Sequence, residues 1–520
     1  MKEARSLGAS PAPPVSRFFG IDALQKMMKS FNEGNVADYM FEWLDKYGPV
    51  HRFEFLNEYT LLTVEPEHLK TILATEFESF EKGEVFNWCF QAVLGTGVFN
   101  SDGVLWKFHR SLTRPFFSRD RITDFELFNH HADTVISKIK QRAVEQEPID
   151  FQDLMSRFTL DSATQFLFGS CVDSLSAPLP YAWNSLKSNP PGPIPASDQF
   201  AEAFNQAQTQ TAVRTRLGDL WPLLELFRDK TKDSMRTIHD YIEPILRDAI
   251  SRKALTKLLS VEEKEMPETL LDSLLLVTDG GLIGLGLKLT NDERFVSIMI
   301  AGRDTTTATL TFLFYCLSQH PEVLAKLRKE IFEVVGPSGR PTYQNIKECR
   351  YLRAVINGHL TSAPSYARRA LTLPAVGTGK PIYVPKGAGV GYSVYVMHRR
   401  TDLWGPDAHE FDPERFLDHR VQKYLTTNPF VFLPFNAGPR ICLGQQFAYN
   451  EISLIAVRLL QAFEDIQFST IAQPPESKPP SSQEGLTLAK YSTEKIWPKV
   501  HLTIYSHKGL WLTMKEARNF

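Results

Sequence analysis

From about residue 20 to residue 365 the apolar positions recur with the period of an α-helix. Leu24, Met27, Met28 and Phe31 follow the i, i+3, i+4, i+7 spacing and predict a helix with one buried face. Thr290-Asn291-Asp292-Glu293 reads as a capping box, and His320-Pro321 as a stop. Between them lie about 30 residues, a helix ~45 Å long at 1.5 Å per residue, enough to cross a domain. Gln445 to Phe463 is a second long amphipathic run. His51–Phe55 and Thr60–Val64, around Asn57-Glu58, predict a β-hairpin. After residue 380 the pattern changes: Ile382–Val384 and Val390–Val396 read as strands about a Pro385-Lys386-Gly387 turn. Val500–Tyr505 and Leu510–Met514 read as a closing hairpin around Lys508-Gly509. Asn189–Pro193, Asp279–Gly286 and Gln473–Gln483 read as exposed loops. There is no domain-length repeat, although Met-Lys-Glu-Ala-Arg occurs at both ends of the chain. The pattern predicts one large, mainly α domain over 21–520 with small β-sheets at its edge. A proline-containing segment, 1–20, precedes it, stiffened by Pro11, Pro13 and Pro14.

Composition narrows this little. The 520 residues suffice for a large core, and 43% hydrophobic with 23% charged residues is ordinary for a globular protein. A net charge of −2 gives no electrostatic reason to expect nucleic acid as a partner. Cys89, Cys171, Cys316, Cys349 and Cys442 are too few and too scattered for a disulfide framework or a zinc site, and read as reduced thiols. No run of 18 apolar residues predicts a transmembrane helix, and the N-terminus has no signal-peptide pattern.

Candidate chemistry concentrates in Phe435-Asn436-Ala437-Gly438-Pro439-Arg440-Ile441-Cys442-Leu443-Gly444, just before the second long amphipathic run. Such a loop delivers a cysteine to the start of a helix, where backbone N–H groups and the positive helix end favour a thiolate. Gly438 and Gly444 let backbone come close to a flat ligand, Arg440 can pair with an anion, and Phe435 can shield the sulfur. A cysteine is ordinarily just a small buried hydrophobe; the neighbours of Cys442 are what single it out. The central helix has its own anomaly, Ala301-Gly302-Arg303-Asp304-Thr305-Thr306-Thr307, a poor helix-forming sequence in mid-helix. Back-bonding hydroxyls are the plain explanation. The functional one is that Gly302 opens room beside the helix, while Thr305 and Asp304 move protons.

The pattern Phe-x-x-Gly-x-Arg-x-Cys-x-Gly resembles the haem-binding loop of the cytochrome P-450 family, and Asp304-Thr305 is similar to that family's oxygen-activating motif. The resemblance implies that Cys442 ligates the iron of haem b (iron protoporphyrin IX) as a thiolate, which favours O–O cleavage. It also implies that Thr305 donates a proton to dioxygen, with Asp304 as its relay to solvent. Trp106-x-x-x-Arg110 and Arg368-Arg369 resemble the family's propionate-binding residues. The implied reaction is insertion of one oxygen atom from O2 into an apolar small-molecule substrate, of which a long-chain hydrocarbon or fatty acid is one class. Electrons would come from NADPH through a flavoprotein reductase. Phe86, Trp88, Phe90 and Ile504 are candidates for the substrate pocket. Microsomal fungal members sit on the cytosolic face of the endoplasmic reticulum, tethered by an N-terminal helix before a proline-rich hinge. This chain has the hinge-like prolines without such a helix, which reads as a shortened N-terminus and a peripheral or cytosolic protein.

One departure stands out. The family's Glu-x-x-Arg pair, which locks a loop arginine matching Arg415 here, is replaced by Gly358 and Thr361. A buried arginine stripped of its partner costs about 3–5 kcal/mol. Either another acid compensates, Arg415 is exposed, or haem is held poorly. Two alternatives therefore stay open: a haem binder with impaired catalysis, and a haem-thiolate isomerase or dehydratase acting on hydroperoxides. Thr305 and Asp304 argue against the latter, which needs no proton relay to O2.

Overall fold

The structure is a computed structural model that describes residues 2–16, 20–34, 37–55, 58–117, 125–187, 193–259, 269–270, 291–357, 365–478 and 495–518. The loops expected at Asn189–Gly192 and Asp279–Gly286, together with Gly358 and Thr361, lie outside the described residues.

Helices build the body. Those used below are α1 (Ile21–Glu33), α2 (Gly83–Leu94), α3 (Gly103–Thr113), α4 (Glu126–Val144) and α5 (Phe151–Phe168), then α6 (Ala196–Leu217), α7 (Asn291–Gln319), α8 (Pro321–Val334), α9 (Arg350–Ile356) and α10 (Gln445–Ala462). The α7 bounds match the capping and stop signals read from the sequence, and α10 matches the amphipathic run from Gln445 to Phe463. α7 is the axle, packing against α5, α10, α2 and α8. Its Leu313, Phe314 and Leu317 interlock with Phe151, Phe158, Leu459 and Phe463 in one contiguous core. Two small contacts draw α5 and α7 together. The Thr159 and Thr307 hydroxyls are 2.8 Å apart, and a Cβ on Gly302 would press on the Ala163 methyl at 3.2 Å. Asp150 caps α5, accepting the N–H of Gln152 at 3.1 Å and of Asp153 at 3.2 Å. The face predicted for α1 is only half-buried: Leu24, Met27, Met28 and Phe31 all remain partly exposed, with the Arg216 guanidinium lying 3.7 Å over Phe31.

The predicted first hairpin is present as β1 (Val50–Phe55) and β2 (Glu58–Thr63), antiparallel with Val50 opposite Thr63. It forms one edge of a five-stranded sheet ordered β1-β2-β8-β5-β3, with β3 (Phe80–Glu81), β5 (Ser365–Ala367) and β8 (Gly389–Tyr392). Strand β8 is shorter than its apolar run. Ser393 accepts the N–H of Val396 at 3.2 Å, which caps a helical turn, Val394–Met397, and ends the strand. β6 (Leu371–Leu373) and β7 (Ile382–Val384) form a separate antiparallel pair.

The closing hairpin is a correction. β11 (Ile504–Ser506) pairs back onto β10 (Pro498–Val500), whereas β12 (Trp511–Glu516) joins β4 (Ile149–Asp150) and β9 (Phe463–Phe468). Asp150 explains the change of partner. Its carboxylate accepts the Leu510 N–H at 3.1 Å, and the Phe151 N–H donates to the Leu510 carbonyl at 2.7 Å. The start of the expected Gln473–Gln483 loop is likewise not exposed. Gln473 is buried, donating to the Gly509 carbonyl at 2.9 Å and accepting the Trp511 N–H at 3.2 Å. Among the described residues no helix is long and apolar enough to cross a membrane.

Arg415 is buried and has found an acid. Its guanidinium donates to the backbone carbonyls of Asp407 (2.8 Å), Glu410 (3.2 Å) and Asp412 (3.2 Å), and the Asp407 carboxylate lies 3.5 Å away. Asp407 also pairs with Arg420 at 2.9 Å. The compensating acid therefore comes from the same loop. Asp407→Ala should lower the unfolding free energy by about 1–3 kcal/mol, discounted from a full buried pair because the Asp407 side chain is 38% exposed. Denaturant titration measures this, and a loss under about 0.5 kcal/mol, the size of an ordinary surface change, would show that the carbonyls alone satisfy Arg415.

Candidate active site

The cysteine loop is pinned by its own backbone and by a neighbouring helical turn. The Cys442 N–H donates to the Phe435 carbonyl at 3.1 Å, and the Ile441 N–H to the Gly438 carbonyl at 3.0 Å. Asn436 adopts the left-handed conformation at φ 65, and its amide donates to the Tyr392 hydroxyl at 3.0 Å. Gly438 has φ 68, and any Cβ there would collide with the Leu73 carbonyl oxygen. The backbone that comes close at Gly438 is thus the protein's own, not only that facing a ligand. Gly444 has ordinary space around a would-be Cβ, 3.6 Å from Phe117 and 4.0 Å from the Cys442 sulfur. Phe435 packs against Tyr449, ring centroids 5.0 Å apart.

Burial pushes the Cys442 thiol pKa up, while the Gly444 N–H and the positive charge of Arg110 pull the other way. Coordination to a cation deprotonates a thiol outright, and those two groups are what the resulting anion would use. Cys442 lines a cavity of 660 Å³ with Phe77, Trp106, Arg110, Phe117 and Gly438. Arg110, on α3, donates to the Ile441 carbonyl at 2.8 Å, which fixes that helix against the loop.

Positive charge is in excess beside this cavity. Arg440 lies 4.6 Å over the Trp106 ring and donates to Asp102 at 2.6 Å and to the Ser101 carbonyl at 3.1 Å. Lys82 is nearby, its pKa lowered to about 8 by burial and then by the charge of Arg440, with Asp102 opposing. Asp102 also accepts the N–H groups of Lys82 at 2.9 Å and Gly83 at 3.1 Å. Asp102 thus faces Arg440 and Lys82, while the cavity lining adds Lys107, Arg110 and Arg114 against Glu78, so cations outnumber acids here. That imbalance, at a cavity whose lining also holds Phe77, Trp106, Phe117 and a cysteine, fits a flat ligand bearing carboxylates, such as haem with its two propionates. Sequence reading missed Lys82 and Asp102. The available signal was Asp102 in the N-cap position of α3, where it makes no capping bond and turns to the cations instead.

Arg368 does not join this group. It is half-exposed and pairs with Glu81 at 3.0 Å, while Arg369 pairs with Glu76 at 2.8 Å. Of the pocket candidates, Phe86 and Phe90 stack at 4.1 Å in an apolar cluster with Phe200, Phe204 and Ile300. Trp88 is 48% exposed and turns away onto Trp221, and Ile504 packs against the main core.

The middle of α7 divides its roles by face. Thr305 is exposed, with its hydroxyl donating to the Ala301 carbonyl at 2.9 Å, and it does not line the cysteine cavity. Asp304 is buried, accepting from Gln208 of α6 at 2.6 Å and from Arg303 at 2.9 Å. Arg303 in turn donates to Ser156 at 2.5 Å. The expected relay from Asp304 to solvent is therefore corrected: the carboxylate is shielded because α6 packs over it. His501, held near pKa 4 by burial, also feels Asp304 and Arg303.

Comparison with known proteins identifies the family. The family profile described as "Cytochrome P450" matches residues 11–494. "Cytochrome P450 52A3-B" of Candida maltosa is 36% identical over 484 residues, covering 88% of this chain and 86% of that protein. "Cytochrome P450 52-M1" of Starmerella bombicola is 36% identical over 431 residues, with 79% and 76% covered. "Cytochrome P450 monooxygenase FPY7" of Fusarium mangiferae is 34% identical over 466 residues, with 88% and 83% covered. Matches of this extent show that the chain belongs to the cytochrome P450 family of haem-dependent monooxygenases, which work with dioxygen and a reductase.

Proposed function

We propose that this chain oxidises an aliphatic substrate of the long-chain hydrocarbon or fatty-acid class, with Cys442 as the only protein ligand to the haem iron. The observation that carries the site assignment is the cysteine cavity lined by Lys107, Arg110 and Arg114 against Glu78, with Arg440 stacked on the lining Trp106 and sharing Asp102 with Lys82. In this reading Arg110, Arg440 and Lys82 bind the haem carboxylates, with Trp106 as the surface on which Arg440 is stacked. Gly438 and Phe435 hold the loop that presents the sulfur. Bound haem supplies the iron at which dioxygen is activated for C–H oxidation. The aliphatic preference rests on the apolar cluster of α2, α6 and α7 that holds Phe86, Phe90, Phe200, Phe204 and Ile300, with Lys82 over Phe86 and Arg303 over Phe204 at its edge.

Thr305 is the proton-handling group. Its Oγ1 faces open space but spends its hydrogen on the Ala301 carbonyl, so donation requires that bond to exchange. In this reading Asp304 relays a proton only after its bonds to Gln208 and Arg303 exchange for water, from which it takes the proton it passes to Thr305. Arg415, held by three backbone carbonyls with the Asp407 carboxylate 3.5 Å away, supports a braced loop over a haem binder without catalysis.

Incubation with a reductase, NADPH, isotopically labelled dioxygen and hexadecane or palmitate tests the assignment. Label in a hydroxylated product is the expected result; unlabelled or absent product with both substrates would contradict it. Cys442→Ser should abolish the thiolate-type absorption of the reduced CO complex, whereas serine at Cys89, Cys171, Cys316 or Cys349 should leave it intact. Loss at any of those four would remove Cys442 as sole ligand. Thr305→Ala should keep haem and substrate binding but cut product formed per NADPH by about 10²-fold, with the electrons appearing as hydrogen peroxide. An unchanged ratio of product to NADPH would take Thr305 out of the mechanism.

A further inference from the structure

α4 and α5 pack together, and the chain leaving α5 folds back onto the pair. Gly169 ends α5 in the left-handed conformation at φ 66, and Asp173 turns the chain again at φ 53. Between them Val172 packs against the apolar cluster that holds Phe86 and Phe200, which seats the loop. The return brings Cys171 of this loop beside His131 of α4 and Asp161 of α5. One ring nitrogen, one thiol sulfur and one carboxylate oxygen all lie within 4.8 Å of one another. Some point between three such atoms is within about 2.8 Å of each, so shifts of under about 1 Å would reach the 2.0–2.3 Å of zinc–ligand bonds. His131 and Asp161 are buried, whereas Cys171 is only half-buried and opens the cluster to solvent.

Each donor stands ready in its local bonding. His131 Nε2 is 2.7 Å from the amide oxygen of Gln165, an acceptor, so Nε2 carries the hydrogen and the neutral ring keeps its lone pair on Nδ1. An outer hydrogen bond of this kind commonly orients a metal-bound imidazole. Asp161 Oδ1 accepts the Ser174 N–H at 2.8 Å and the Ser174 hydroxyl at 2.7 Å, and Oδ2 accepts the Leu175 N–H at 2.9 Å. A carboxylate has about four acceptor positions, so one remains, on Oδ2. The Asp173 N–H donates to the Cys171 sulfur at 3.2 Å, a contact that favours thiolate.

Charge gives a second, independent reason. Asp161 is 1% exposed, yet among the described residues no lysine or arginine is ion-paired with it. Arg157, one turn earlier on α5, gives its guanidinium to Asp153 at 2.8 Å, to Asp198 at 2.8 Å and to the Ser174 carbonyl at 3.2 Å. A buried carboxylate without a counter-ion is costly. A carboxylate, a thiolate and a neutral imidazole together balance one divalent cation.

We propose that His131, Asp161 and Cys171 form a binding site for a zinc-like divalent ion, apart from the haem, that staples α4, α5 and the loop after α5. The five cysteines are too scattered for a cysteine-only site, but one is enough where an imidazole and a carboxylate converge on it. The mixed nitrogen, oxygen and sulfur set suits zinc over magnesium or calcium, which prefer oxygen alone. On binding, the sulfur–hydrogen bond breaks, the metal–sulfur bond forms and the proton leaves to water, with no change of oxidation state. Water completes the coordination.

The test uses haem-loaded, tag-free protein cleared of metal with a chelator, so that Cys442 is held by the haem iron. Equilibrium dialysis against about 10 μM zinc, with elemental analysis, should retain one zinc per chain, and excess magnesium should not displace it. X-ray absorption at the zinc edge, which haem does not obscure, should show one sulfur at about 2.3 Å among nitrogen and oxygen ligands. Zinc should also raise the thermal midpoint of the parent. Cys171→Ser should remove the sulfur and the rise in midpoint, and weaken binding at least about tenfold, whereas Cys316→Ser should change none of the three. Gln165→Leu should keep the sulfur but bind about 10- to 100-fold more weakly, the size of a lost outer-shell bond. No retained zinc, or zinc with only nitrogen and oxygen around it, would overturn the proposal. So would binding by Cys171→Ser as tight as that of the parent. Should Cys171→Ser fail to fold, the zinc-edge spectrum of the parent and loss of zinc in His131→Gln decide, and zinc retained by His131→Gln with its sulfur in place would overturn the three-ligand site.

Discussion

An excess of positive over negative charge beside Cys442 is the constraint on which the rest of the site depends. Holding Lys82 and Arg440 partly buried around Asp102 is costly, and the energy is recovered when an anion enters. The fold spends several of its local features on keeping those cations in place. Arg440 is flattened on Trp106, Asp102 leaves its capping role to bridge Arg440 and the Lys82 backbone, and Arg110 ties α3 to the cysteine loop. The loop itself cannot drift, because Gly438 is seated against the Leu73 carbonyl. A ligand with two carboxylates and an apolar face satisfies the charges and fills the cavity together. The cysteine then needs no special acidity of its own, because the metal replaces its proton.

The long helix solves a different problem on each face. Toward α5 it presents Gly302 and Thr307 for close packing, and toward α6 it buries Asp304 with Arg303. Among the described side chains of α7, Thr305 is the one left exposed. Four threonine hydroxyls, at 305, 307, 309 and 311, donate to carbonyls one turn back, which satisfies the polar groups of a poor helix-forming sequence. The plain explanation of the motif and the functional one are thus both realised, by the same residues.

Much of this was legible in the sequence where a local rule operates. Helix bounds followed caps and stops, and the cysteine loop announced itself by glycine, arginine and cysteine at fixed spacing. What escaped depended on partners far along the chain. The C-terminal strand left its predicted hairpin because the Asp150 carboxylate captures Leu510, hundreds of residues away. Arg415 was paired by Asp407, a choice among many acids that spacing alone does not make. The Lys-Glu-Ala-Arg stretch shows the limit of local preference most plainly. Residues 2–5 are helical, whereas Lys515 and Glu516 lie in strand β12, paired to Glu464 and Phe463. Identical local preference yields to whichever tertiary pairing is on offer.

The charge argument can be measured without catalysis. Apoprotein would be titrated with haem and with haem whose two propionates are methyl esters, which keeps the flat apolar face and removes both anions. The account predicts that the ester binds at least about tenfold more weakly, the size of one charged hydrogen bond, and that Lys82→Ala with Arg440→Ala narrows the gap. Equal affinity for the acid and the ester would contradict it.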